Sequence, residues 1–241
     1  MRAGRVAVVG VALLTLAVGP AQTVPPPFRP APSFWPPPVL SEERAIAEVV
    51  RVDSRGGGAF DTGTGVSVGA HVVLTNAHLT RNPITLVTRC GEQSLAVDRV
   101  ERATGADDVA VLVTTGPSLL PVELAPRDPV AGDVVLLAGY PGGRLAVTEG
   151  RVEGSLRHDG LDVLRFSPEP ESGQSGSPLF DTNGRIAGLA FARESAGGQG
   201  LAIPASRLRR VLDESRTNGV PVAASDIGAP TVAAARSSPC G

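Results

Sequence analysis

GQSGSPLF, residues 173–180, places two glycines and two serines immediately before an apolar strand. Two readings fit the stretch. It can be a tight surface turn entering a sheet. Alternatively, Ser175 is a nucleophile, with the glycines leaving room for a substrate backbone to approach. A base and an orienting acid elsewhere in the chain decide between them.

A serine hydroxyl is a poor nucleophile until an imidazole takes its proton. The chain has three histidines. His158 lies in RHDG (157–160), a polar turn, and His71 at the tip of a hairpin, VGAHVV (68–73); both read as surface residues. His78 differs, because LTNAHL (74–79) places it just past a strand, where local structure holds its ring. No histidine follows Ser175, so the serine–acid–histidine order of α/β-hydrolases is excluded. The Gly-x-Ser-x-Gly elbow also fails, because residue 177 is serine. The available order is histidine, acid, serine.

For the acid, DDVAVLVTT (107–115) offers Asp107 and Asp108 at the mouth of an apolar strand. With strand alternation Asp108, Ala110 and Leu112 share one face and Asp107 points elsewhere. A carboxylate there can be half-buried and aimed at the far nitrogen of an imidazole, fixing its tautomer. The residues alone leave open the blander reading, a pair of turn carboxylates leading a strand.

The rest of the chain sets the frame. Its 241 residues suit one domain or two small lobes, and 42% hydrophobic against 19% charged residues allows a packed core. A net charge of −2 argues against nucleic acid as the main partner. All 22 basic residues are arginine, which with the Ala/Gly/Val richness reflects a GC-rich genome. MRAGR and the apolar stretch 6–19, followed by Gly19 and Ala21, form a signal peptide over 1–21, the alternative being an uncleaved anchor. Secretion or a place in the cell envelope follows. Residues 22–42 are a proline-dense linker. Outside the cytoplasm Cys90 and Cys240, the only cysteines, are expected to form a disulfide, two free thiols being the alternative. Three scattered histidines supply no zinc pattern, and no cofactor is called for.

Strand-like segments recur from Glu43 onward. IAEVVRV (46–52), GTGVSV (63–68), HVVLTNAH (71–78), ITLVTR (84–89), QSLAVDRV (93–100) and DVAVLVTT (108–115) make one run, with a hairpin turning at Gly69 and Ala70. A connection over 116–127 leads to DVVLLAGY (133–140), RLAVTEGRVEG (144–154), DVLRFS (162–167), GSPLFD (176–181), RIAGLAFA (185–192) and GLAIPA (200–205). DTNG (181–184) is a hairpin turn. One helix is expected, over about 206–217, capped by Ser206 and striped by Leu208, Val211 and Leu212. The fold class expected is all-β: barrel one over about 43–116, barrel two over about 128–205, then the helix. A low-complexity tail fills 218–241.

TNAH at 75–78, DVAVL at 108–112 and GQSGSPL at 173–179, in that order, resemble trypsin-like serine peptidases, and the exported bacterial branch similar to HtrA proteases in particular. GTG (63–65), GYPGG (139–143) and GLAIPAS (200–206) carry the same flavour, so the likeness spans roughly 44–212. The resemblance implies a chymotrypsin-type double barrel with the site between its lobes. It implies His78 as general base, Asp108 as its orienting acid and Ser175 as nucleophile. The backbone N–H groups of Gly173 and Ser175 would then form the oxyanion hole. By the same layout Ala190, Phe191 and Ala192 border the substrate pocket, with Glu169 toward its base. Small walls suggest a small or medium aliphatic residue at P1, whereas Glu169 and Glu171 would favour a basic one.

Gln174 stands where many relatives carry the aspartate that captures a new N-terminus, so activation by such cleavage is not expected. No PDZ domain is expected after the peptidase domain, and the protein is expected to be a monomer. Its partners are protein or peptide substrates, with no nucleic acid and no membrane beyond the N-terminal signal. The function expected is an exported serine endopeptidase. Kept beside it are an inactive protease-fold binding module and, less favoured by the histidine order, an ester hydrolase.

Overall fold

The computed structural model describes residues 42–56, 59–87, 94–194 and 197–218. The signal segment, nearly all of the proline-dense stretch, Cys90, Cys240 and all but the first residue of the tail lie outside the described residues. A short helix, α1 (Glu42–Ala47), precedes twelve strands. β1 (Val49–Gly56), β2 (Ala59–Gly69), β3 (Val72–Thr75), β4 (Ile84–Val87), β5 (Ser94–Arg102) and β6 (Ala110–Thr115) close into an antiparallel barrel in the order β1-β2-β3-β6-β5-β4. β7 (Val134–Gly139), β8 (Ala146–His158), β9 (Leu161–Ser167), β10 (Pro178–Phe180), β11 (Ile186–Arg193) and β12 (Gly200–Pro204) close a second, in the order β10-β11-β12-β9-β8-β7. The chain ends its described part in α2 (Ala205–Thr217).

Closing each sheet satisfies its edges, and the alternation of side chains then supplies two apolar surfaces from every strand. Val50, Val52, Val73, Ala110 and Leu112 fill barrel one. Their neighbours Val49, Val72, Leu74 and Val111 face outward. There they join Ala138, Tyr140, Phe180 and Leu189 of barrel two and Leu208, Val211 and Leu212 of α2 in one cluster. Val135, Leu137, Leu164, Phe166 and Leu179 fill barrel two. The seam between the barrels is therefore as apolar as their interiors, and it sets the two halves against each other.

Both predicted hairpins form. β2 and β3 pair with Val66 opposite Leu74. At 181–184 the Asp181 carboxylate accepts the N–H groups of Asn183 and Arg185, while Gly184 takes φ +72°. Two local expectations need correction. The segment read as one strand, 46–52, is helix up to Ala47, because Ala45 and Ile46 bury together against the seam, and Val49 is the first strand residue. α2 starts at Ala205 after Pro204, and Ser206 does not cap it. The Ser206 N–H and hydroxyl both donate to the Asp128 carboxylate, at 2.8 and 2.6 Å, so the first turn is fastened from the interbarrel connection.

Glu48, between α1 and β1, is 1% exposed. One carboxyl oxygen accepts the Leu120 N–H at 2.9 Å and the other has no partner. Burial dominates its electrostatics and raises its pKa from 4.5 to about 7, against the lowering effects of the Leu120 N–H and the Arg44 charge. No helix among the described residues is long and apolar enough to cross a membrane.

Candidate active site

A cleft of about 540 Å³ is lined from both barrels, with His78 on one side and Ser175 on the other. His78 sits in a single 3₁₀ turn, Ala77–Thr80, that follows β3. Asn76 begins the turn, accepting the Leu79 N–H through its carbonyl, and its side-chain amide donates to the Asp108 carbonyl at 2.9 Å. Arg102 of β5 donates from Nε to the Thr80 hydroxyl at 2.9 Å and also bonds the Thr80 carbonyl. The imidazole therefore stands on a turn held at both ends.

Asp108 grips the histidine twice. Its Oδ2 lies 2.6 Å from His78 Nδ1, and its Oδ1 accepts the His78 backbone N–H at 2.9 Å. A carboxylate can only accept, so the hydrogen between them sits on Nδ1, and the ring belongs to a residue that lines the cleft. The side chains are 31% and 25% exposed, so the pair is neither fully desolvated nor solvated. Alternation sends Asp107 the other way, onto Arg207 of α2, whose Nε donates to it at 2.8 Å. Asp107→Ala is thus expected to lower stability by about 1–3 kcal/mol by stranding a mostly buried guanidinium, which urea unfolding reads.

Ser175 is presented by a turn that depends on glycine. Gly173 and Gly176 have φ of +99° and +81°. A Cβ on Gly173 would lie 2.3 Å from the Tyr140 carbonyl oxygen, and one on Gly176 would lie 2.0 Å from that of Thr64. Only glycine accommodates both the conformation and the approach. Gln174 is buried, and its side-chain oxygen accepts the Glu171 N–H at 2.7 Å, closing the loop on itself. The N–H groups of Gly173 and Ser175 donate to no other group among the described residues. No hydrogen bond joins His78 to the Ser175 hydroxyl among those residues; the two share the cleft without touching in that sense.

Ala190, Phe191 and Ala192 line the same cleft as His78 and Ser175. Glu169 does not line it. Its carboxylate lies 3.4 Å from Arg193 at the surface. His158 stacks edge-on against Phe191, with 5.7 Å between ring centroids, and His71 lies 3.4 Å from the Ser118 hydroxyl. Neither of these histidines lines the cleft. Asp61 and Thr62, at the turn end of the β1–β2 hairpin, also line the cleft, with Glu171 and Gly173.

Comparison with known proteins places the chain in a family. A family model described as a trypsin-like peptidase domain matches residues 63–189, just over half of the chain. Serine protease Rv3671c of Mycobacterium tuberculosis is 30% identical over 142 residues, covering 54% of this chain and 35% of that protein. A probable periplasmic serine endoprotease, DegP-like, of Ectopseudomonas mendocina is 30% identical over 198 residues, covering 76% and 42%. The chain thus spans well under half the length of these curated relatives. The crystal structure of the Rv3671c protease in its active form superposes with a TM-score of 0.64 at 25% identity, covering 87% of this chain and 96% of that one. With its two six-stranded barrels and this match, the chain belongs to the trypsin-like peptidase family.

Proposed function

We propose that the protein is an exported serine endopeptidase that cleaves proteins outside the cytoplasm. The observation that carries this reading is the double grip of Asp108 on His78, which lines the same cleft as Ser175. In the proposed reaction His78 Nε2 takes the Ser175 proton as Oγ attacks the scissile carbonyl carbon. The carbonyl π pair moves to oxygen and is received by the N–H groups of Gly173 and Ser175. The imidazolium, stabilised by Asp108, then protonates the amine as the C–N bond breaks, leaving an acyl-serine. Water, deprotonated by the same imidazole, releases the acid and restores the hydroxyl.

Export rests on the N-terminal segment and on the periplasmic designation of the DegP-like relative. For P1 we propose small or medium aliphatic residues. Ala190 and Ala192 offer little bulk, and Glu169 is paired with Arg193 rather than turned inward. A peptide library is expected to give P1 Ala or Val at least about tenfold above Arg in kcat/KM, a difference of about 1.4 kcal/mol; preference for Arg would reverse the assignment. Turnover of labelled casein tests the activity itself. The protein hydrolyses it and the Ser175→Ala protein does not; equal turnover by both would refute the reading.

A further inference from the structure

GTG (63–65) has no part in the reaction as written, yet its middle residue touches the nucleophile's turn at two points. Thr64, in β2, is 0% exposed. Its backbone N–H donates to the Ser175 carbonyl at 2.8 Å. Its hydroxyl donates to the Gly173 carbonyl at 2.8 Å and accepts the Tyr140 N–H at 3.0 Å. Its own carbonyl accepts the Thr75 hydroxyl at 2.6 Å, three residues before His78. Every polar group of Thr64 is engaged, and the hydroxyl's single proton is committed to Gly173.

The glycines explain how this closeness is reached. A Cβ on Gly63 would lie 2.2 Å from Leu79, and one on Gly139 would lie 3.0 Å from the Thr64 hydroxyl and 1.9 Å from that of Ser177. A Cβ on Gly176 would meet the Thr64 carbonyl. Barrel-two backbone at Gly139, Tyr140 and Gly173 thus closes on one threonine side chain. Gly173 and Ser175 carry the two N–H groups assigned to the oxyanion, and Thr64 holds the carbonyls of the same two residues. We infer that the Thr64 hydroxyl is a positioning group of barrel one that sets the oxyanion-binding turn of barrel two. Without it the Gly173–Gln174 peptide unit keeps only the bond from the Gln174 N–H to the Glu171 carbonyl, at 3.0 Å, and at φ +99° the glycine has the freedom to rotate. Charge stabilisation depends on donors fixed before the reaction, so the loss falls on the chemical step and spares substrate binding.

The inference rests on the peptidase reading, and the test separates the two. Wild type, Thr64→Val, Thr64→Ser and Thr64→Ala are compared, with Ser175→Ala as blank. Labelled casein supplies kcat and KM, the second-order rate of fluorophosphonate labelling reports attack by Ser175, and thermal unfolding supplies the native fraction. Thr64→Val keeps shape and removes the hydroxyl. Thr64→Ala admits a water to the Tyr140 N–H and the Gly173 carbonyl, and its readings stand alone if the valine protein does not fold.

The expected result is a kcat and a labelling rate lower by at least about tenfold per native molecule in the valine and alanine proteins, against the 10²–10³ typical of losing an oxyanion donor outright. KM stays within about twofold of wild type, and Thr64→Ser restores kcat to within about threefold. Native variants with wild-type kcat would overturn the inference alone, as would a serine protein no better than alanine. Wild type without Ser175-dependent turnover would overturn the peptidase reading, and this inference with it.

Discussion

Ser175→Ala and His78→Ala are each expected to lower casein turnover by about 10⁵–10⁶-fold while leaving the thermal midpoint within about 2 °C of wild type. Both side chains lie at the cleft surface, so little packing is lost with them. The two losses are not additive. Once the proton acceptor or the hydroxyl is gone the other has nothing to do, and the double variant matches either single one. Asp108→Asn should fall by about 10⁴-fold, because the amide presents a donor or a poorer acceptor to Nδ1 and favours the wrong tautomer. A graded series, with Asp108 below Ser175 and His78 in effect and Asp107 near zero, separates a working site from a coincidental cluster.

Glu48→Gln is expected to change stability by an amount that depends on pH. The ordinary carboxyl value is 4.5, and burial lifts the folded value to about 7. The native protein therefore holds its proton more tightly than the unfolded chain does. Below about pH 4.5 both states are protonated, and the buried neutral acid carries its full stability. As pH rises through the interval to 7 the unfolded chain ionises first, native stability falls, and above about 7 the loss is complete, at roughly 3 kcal/mol. Glutamine cannot ionise and retains an acceptor for the Leu120 N–H. The variant should match wild type near pH 4.5 and exceed it at pH 8 by about 3 kcal/mol, or about 6–12 °C in thermal midpoint. Parallel curves for the two proteins from pH 4 to 8 would contradict the assignment.

Much of the fold was legible because barrel strands alternate. The pattern at 107–115 sorts Val109 and Val111 to the seam and Ala110 and Leu112 to the barrel interior, and it sends Asp107 and Asp108 apart. Local position, just past a strand rather than in a polar turn or at a hairpin tip, set His78 apart from His158 and His71 as the expected base. Other features were hidden for physical reasons. α1 is six residues long and too short for periodicity to register, so the β-branched residues after it drew the segment toward strand. Ser206 had the chemistry of a cap, but Asp128, 78 residues away, outcompeted it for the helix end. The surface pairing of Glu169 with Arg193 and the tether from Thr64 to Gly173 join residues 24 and 109 positions apart, and no local pattern encodes either.

Thr64 also bears on how the two barrels cooperate. His78 and Asp108 belong to barrel one and the turn of Ser175 to barrel two, so their relative placement depends on contacts that cross the seam. The two bonds from Thr64 to the turn, with the Tyr140 hydroxyl donating to the Val49 carbonyl at 3.1 Å, are polar contacts of that kind. They are directional where the surrounding apolar packing is not.

The most direct measurement is the site of covalent labelling. After treatment of the folded protein with a fluorophosphonate, mass spectrometry of the peptide containing GQSGSPLF should find one adduct, on Ser175 and not on Ser172 or Ser177. The adduct should vanish in folded Ser175→Ala and fall by at least about 10³-fold in rate in His78→Ala. Labelling at another serine, or labelling of Ser175 at an undiminished rate without His78, would contradict the account.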